Sequence, residues 1–214
     1  MLKSPDGGGT WEIVEDRSFG TKPCDEFVTL LRAHPTDPSR LFRVAWCTGN
    51  TGPTSLQQSL DRGATWETLY APMEGRISVM AIGGSQAPGL LLLGLTTQAN
   101  GGGSRIVRSV DDGATWSTVL DNANDQGQPT QAAQVTITGL TINERRPDQA
   151  LASFAPGLDT RGVKARLMMS MDAGRTWVEI SNPGMYYPQD VAFGIDGATM
   201  YLADLAGAWY APTP

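Results

Sequence analysis

An all-β fold of repeated four-stranded sheets is what this 214-residue chain predicts, and three observations carry it. The octapeptide Ser-x-Asp-x-Gly-x-Thr-Trp occurs four times, its serines 55, 50 and 61 residues apart. Short apolar runs of strand length come in pairs between the copies. No segment keeps a helical period. Four strands in every ~50–60 residues, repeated along a chain, describe the blades of a β-propeller.

The octapeptide has the chemistry of a tight turn. Its copies place Ser4, Asp6, Gly8, Thr10 and Trp11; Ser59, Asp61, Gly63, Thr65 and Trp66; Ser109, Asp111, Gly113, Thr115 and Trp116; and Ser170, Asp172, Gly174, Thr176 and Trp177 in equivalent positions. An aspartate carboxylate accepts from backbone N–H groups inside such a turn, and serine and threonine hydroxyls support it. Glycine supplies a backbone angle that other residues resist. The tryptophan then opens the next strand with a large apolar face. Each copy therefore reads as a hairpin connector, with Arg105–Ser109 entering one of them and Trp116–Leu120 leaving it.

Between the connectors lie two further strands per unit. Phe27–Leu31 and Leu41–Trp46 flank a turn at His34–Ser39, and Ile77–Ile82 and Leu90–Leu95 flank Gly83-Gly84 and Pro88-Gly89. Val135–Leu140 and Ala150–Phe154 repeat the pair around Arg145–Asp148, and Val191–Phe193 and Met200–Ala203 do so around Asp196-Gly197. A degenerate third strand, Ala208–Ala211, closes the series at Pro212-Thr213-Pro214, where another octapeptide would begin.

Composition narrows the function classes. At ~150 residues per domain the length suggests a single domain over 1–214, which on folding should bury about 70% of the unfolded chain's surface. The 25 glycines and 14 prolines are spread in clusters, as many turns require. With 16 basic and 22 acidic residues the net charge is −6, the wrong sign for nucleic acid or an anionic membrane surface. No apolar run approaches the ~18 residues of a membrane span, so no membrane insertion is expected. The first residues carry no apolar signal region.

The octapeptide resembles the Asp box, or BNR repeat, of sialidases, sortilin-type receptor ectodomains, xyloglucan-degrading glycosidases and photosystem II assembly factors. The resemblance spans essentially the whole chain, since all four copies match. It implies a propeller whose boxes join the third and fourth strands of each blade, on the face opposite the usual active site. Enzymes and binding proteins share the box, so function does not follow from it. A secreted or extracellular setting is slightly favoured by it. Three complete blades and one composite blade are expected, the last formed if Trp11–Val14 supplies the fourth strand to the C-terminal strands, which would remove two sheet edges. A monomeric minimal ring of about four blades, part of a larger propeller, and a homodimer forming one ring of eight are all compatible.

Candidate chemistry is sparse. A sialidase needs three arginines on a carboxylate, but its Phe/Tyr-Arg-Ile-Pro segment is absent and Arg76-Ile77-Ser78 is the nearest match. Arg17, Arg43, Arg105, Arg108, Arg161 and Arg166 are available, and nothing in the spacing groups three of them. Glycoside hydrolysis by paired carboxylates needs two acids ~5–10 Å apart. Glu26, Glu74, Asp159, Asp190 and Asp204 are available acids that spacing does not pair. The segment Pro183–Asp190 stands out, because it enters a first strand from a fourth and carries Tyr186, Tyr187 and Asp190. These three, with Arg76, are the candidate ligand-binding residues, on the face where propellers bind; capping of the core is their bland alternative.

His34 is the sole histidine and sits in a proline-rich turn, which argues against a histidine zinc site or a Ser-His-Asp triad. Asp121–Gly127 has a superficial likeness to a calcium loop, but Ala123 takes a ligand position and Ala132 stands where the twelfth-position glutamate belongs. Gly101–Gly103 precedes a strand rather than a helix and makes no phosphate cradle. No cofactor is expected. Pairing about a turn centred near residue 36 brings Cys24 and Cys47 near each other, compatible with a disulfide or with two reduced thiols. The leading expectation is a non-catalytic binding or assembly module for a protein or carbohydrate ligand, with a sialidase-like or other glycoside hydrolase as the alternative.

Overall fold

The computed structural model describes residues 2–13, 26–47, 54–73, 75–97, 103–121, 135–156, 164–180 and 184–214. Every regular element among them is a β-strand, so no described helix is long and apolar enough to cross a membrane. The chain divides into two compact units, Met1–Met73 and Glu74–Pro214.

The first unit holds a short hairpin, β1 (Leu2–Lys3) and β2 (Glu12–Ile13), and a four-stranded sheet in the order β3 (Glu26–Ala33), β4 (Leu41–Cys47), β5 (Ser55–Ser59) and β6 (Glu67–Tyr70). The second unit holds two four-stranded sheets and a three-stranded one. They are β7 (Arg76–Ile82), β8 (Leu91–Thr97), β9 (Gly103–Ser109) and β10 (Ser117–Asp121); β11 (Val135–Ile142), β12 (Ala150–Pro156), β13 (Arg166–Ser170) and β14 (Val178–Glu179); and β15 (Pro188–Phe193), β16 (Thr199–Asp204) and β17 (Gly207–Pro212). All pairings are antiparallel and sequential. The expected strands are present with ends moved by one to three residues. In the first unit β2 pairs with β1, and in the second β15–β17 pair as three strands among the described residues.

All four octapeptides fold alike. Asp111 Oδ1 accepts from the Thr115 amide at 2.9 Å and the Ser109 hydroxyl at 2.7 Å, while Oδ2 accepts the Thr115 hydroxyl at 2.6 Å. Asp6, Asp61 and Asp172 repeat these bonds. The serine hydroxyl also accepts the amide of the motif glycine, at 2.6–2.8 Å in every copy. That glycine is left-handed, as expected, and so is the residue before it: Gly7, Arg62, Asp112 and Ala173 all lie at φ 59–72°. Three copies thus accept a strained non-glycine residue. Gly174 is required twice, since a Cβ there would also lie 2.8 Å from Leu92 Cδ2.

The carboxylates respond to this environment. Hydrogen bonds from the Thr65 and Thr115 side chains and amides hold Asp61 and Asp111 at about 2, against an ordinary 3.8. For Asp172 burial pushes upward, but the Thr176 amide and hydroxyl outweigh it and the value again falls to about 2. A carboxyl lowered by folding stabilises the fold above its unfolded value and ceases to do so as pH falls through the folded one. Tryptophan fluorescence should therefore report acid unfolding between about pH 4 and pH 2. A signal flat to pH 2 would show that these turns do not support the sheets.

Inside the second unit the three sheets pack face to face in chain order. Leu92 and Ile106 of one sheet meet Ile137, Ala152, Phe154 and Met168 of the next in one apolar cluster. Leu151, Leu167 and Met169 meet Val191, Met200 and Leu202 in a second. Glycines let the faces approach: a Cβ on Gly139 would stand 2.8 Å from the Val191 amide, and one on Gly94 would stand 2.7 Å from Ile137 Cδ1. The last two sheets are also joined by polar bonds. Asn143 Nδ2 and Arg146 Nη2 each donate to the Gly197 carbonyl at 2.9 Å, and the Thr213 hydroxyl reaches the same carbonyl at 3.4 Å.

The sole histidine serves a turn. His34 Nδ1 accepts from the Thr36 and Asp37 amides at 3.3 and 3.1 Å. Asn143 Oδ1 does the same for Arg145 and Arg146 at the equivalent place in the third sheet. Cys47 stands opposite Glu26 in the β3–β4 register, and Cys24 lies outside the described residues.

Candidate functional site

Tyr186, Tyr187 and Asp190 lie at one end of the last sheet, where the chain enters β15. The register places Pro188 opposite Asp204, and Asp204 opposite Gly207, so the β16–β17 turn closes at that same end. The octapeptide turns sit at the other end of their strands, as the resemblance implied.

Asp204 organises this corner. The residue is 8% exposed, and its carboxylate accepts three backbone N–H groups: Tyr186 at 3.0 Å and Tyr187 at 2.9 Å on Oδ2, and Ala206 at 2.8 Å on Oδ1. The Leu205 amide donates back to the Tyr187 carbonyl at 3.2 Å. The incoming segment is thereby stapled to the hairpin turn. Met185 is buried in the cluster between the last two sheets, which anchors the segment from below. Tyr186 is left 73% exposed and Tyr187 half-buried. Met185 is thus the buried residue of the segment, while Tyr186 faces solvent on a fixed backbone.

Asp190 is exposed, and its carboxylate accepts the amide of its own neighbour, Val191, at 2.8 Å. Arg76 opens β7, opposite Thr96 and exposed, in the first of the second unit's three sheets. The structure thus brings Tyr186, Tyr187, Asp190 and Asp204 to one sheet end, with Arg76 on another sheet.

The remaining arginines have local duties. Arg43 is buried, with Nε on Gln57 Oε1 at 2.7 Å and its guanidinium 4.1 Å from the Trp66 ring centroid. Arg105 pairs with Asp121 and Arg166 with Glu179, each at 3.0 Å. Arg108 donates to the Ala173 carbonyl at 2.7 Å, bridging two sheets. Arg17, Arg161, Glu74, Asp159, the 122–132 part of the calcium-like loop and Gly101–Gly102 lie outside the described residues. Among the described residues no cluster of three acidic, histidine or cysteine side chains is arranged to hold a metal.

Sequence reasoning missed one feature, an apolar groove of about 300 Å³ lined by Leu151, Leu167, Ile180, Met200, Leu202 and Trp209. It runs between the last two sheets toward β17. The alternation of Met200, Leu202 and Asp204 with Tyr201 and Ala203 was a signal that one face of β16 turns inward.

No family model matches the chain, and no curated protein does either. Solved structures do match. The GH74 xyloglucanase of Xanthomonas campestris aligns over 99% of this chain with a TM-score of 0.72 at 18% identity. The fold is that of the sialidase-like β-propellers. The NanB sialidase of Streptococcus pneumoniae aligns over 96% of the chain (TM-score 0.56, 15% identity), and a chain of a nidogen–laminin complex over 86% (0.57, 14%). The propeller-like chain spans about a third of the xyloglucanase and sialidase chains, 33% and 32%, and 60% of the third. At these identities the likeness carries the fold and no activity.

Proposed function

We propose that this propeller is a non-catalytic binding or assembly module that presents Tyr186 and Tyr187 to a carbohydrate or protein ligand. The observation that carries this reading is the engagement of Asp204. Its carboxylate is buried under three backbone amides and holds the tyrosine segment in place, a positioning role that leaves it out of reach of a substrate. Asp190, the other acid at this end, is exposed and bound to its own backbone. Hydrolysis by paired carboxylates needs two acids facing a shared bond, and these two are differently occupied. A fixed, exposed tyrosine offers a flat amphipathic surface at little entropic cost, which suits sugar rings and protein surfaces alike.

The test combines hydrolysis with binding. Fluorogenic glycosides should stay intact, while calorimetric titration across a panel of polysaccharides and extracellular-matrix proteins should find a ligand. Tyr186→Ala should weaken that ligand about tenfold or more without changing thermal unfolding, since the side chain is exposed. Glycoside hydrolysis abolished by Asp190→Asn would overturn the reading in favour of an enzyme.

A further inference from the structure

The second residue of the octapeptide is apolar in every copy: Pro5, Leu60, Val110 and Met171. Beneath Met171 the sheet β11–β14 departs from its neighbours. In each four-stranded sheet the residue just before the second strand accepts, through its carbonyl, the amide at the start of the turn. Arg40 accepts from His34, Leu90 from Gly83 and Gln149 from Asn143, at 2.8–2.9 Å. Leu90 is buried hydrocarbon, and Arg40 turns its guanidinium to Gln58 Oε1 at 2.7 Å. Gln149 instead buries a carboxamide completely.

Its neighbour fixes the orientation of that carboxamide. Asn143 Oδ1 accepts the Arg145 and Arg146 amides, so Asn143 offers Nδ2 to Gln149 Oε1, 2.8 Å away. Gln149 Nε2 must then point the other way, and it donates to the Met171 sulfur at 3.7 Å. Among the described residues that sulfur is the acceptor its side-chain N–H groups have. A buried amide donor ordinarily meets oxygen, and thioether sulfur is a weak acceptor.

We propose that Met171 is a site of reversible oxidation by peroxide, and that Gln149 receives the sulfoxide. A sulfur lone pair attacks one peroxide oxygen, and the O–O bond breaks as the S–O bond forms. The departing hydroxide takes the proton of the transferred oxygen and leaves as water. Sulfur loses two electrons and the peroxide gains them. Susceptibility follows exposure. Of the six methionines in the second unit, Met80, Met168, Met169, Met185 and Met200 are buried, whereas Met171 is 47% exposed. The product also fits. A sulfoxide oxygen ~1.5 Å from sulfur and ~2.9 Å from a donor nitrogen, bent in the ordinary way at oxygen, sets sulfur and nitrogen ~3.9 Å apart, close to the separation already present. Oxidation thus exchanges a weak acceptor for a strong one with little movement, where a methionine sulfoxide ordinarily disrupts packing. The site belongs to an octapeptide turn and is independent of the tyrosine segment.

Hydrogen peroxide titration of the full chain tests it, read by mass spectrometry of the methionine peptides and by NMR of the side-chain amides. Met171 should gain one oxygen about tenfold or more faster than the five buried methionines of its unit. The Gln149 Nε2 resonances should move downfield as it does so, and methionine sulfoxide reductase should reverse both changes. Met171→Leu should leave the fold intact, because Leu60 occupies the equivalent position, and should abolish the peroxide-dependent shift at Gln149. Met171 left unoxidised in the folded chain, or a Met171 sulfoxide with the Gln149 resonances unmoved, would overturn the proposal.

Discussion

Asp204→Ala is expected to lower the free energy of unfolding by about 3 kcal/mol, because three backbone donors lose one acceptor and each orphaned amide costs roughly 1–3 kcal/mol when water cannot fully replace the bond. Asp204 is a buried residue, and the Tyr186, Tyr187 and Ala206 amides all donate to its carboxylate. Asp204→Asn keeps one accepting oxygen and should lose about half as much. Urea denaturation of the two variants beside the parent chain measures both values. A loss under about 0.5 kcal/mol for the alanine variant, the size of an ordinary surface change, would show that the staple is dispensable. Ligand binding offers an independent readout, since freeing the tyrosine segment should weaken binding even in the more stable asparagine variant.

Phe154→Ala should destabilise the second unit by about 3–5 kcal/mol, the range for deleting a buried phenylalanine. Phe154 is fully buried in the cluster shared by the second unit's first two sheets. Its strand is buried along nearly its whole length, and glycines already bring the facing backbones close, so the faces have little room to collapse into the cavity. Phe154→Leu, which removes less volume, should cost about 1.5 kcal/mol or somewhat more. Equal stability of the alanine variant and the parent chain in the same denaturation would mean that the two sheets are not packed as described.

Much of this fold was legible because each unit repeats the same local chemistry. Ser-x-Asp-x-Gly-x-Thr-Trp predicts a turn through side-chain bonds that reach no more than four residues, and those bonds are present in all four copies. What sequence alone does not carry is register over longer distances. A bulge interrupts the first two strands of every described sheet that has them, at Val28/Leu30, Ile77/Val79, Ile137/Gly139 and Pro188/Asp190. The β3–β4 turn also centres on residue 37, as Ala33 pairs with Leu41. Together these shifts put Glu26 opposite Cys47. The tyrosine site was half legible: its position between a fourth and a first strand followed from the repeat, whereas the role of Asp204 depends on a hairpin turn folding back onto a segment 17 residues earlier.

The Gly197 carbonyl has a consequence for how the molecule comes apart. It gathers donors from Asn143 and Arg146 on one sheet and from Thr213 beyond the final strand of the next. Lifting β17 and the residues after it away from the sheet must therefore break a knot tied to an earlier repeat. The strands that flank the knot, β11 and β12 on one sheet and β15–β17 on the other, are then released together, and hydrogen exchange along them rises in a single cooperative step.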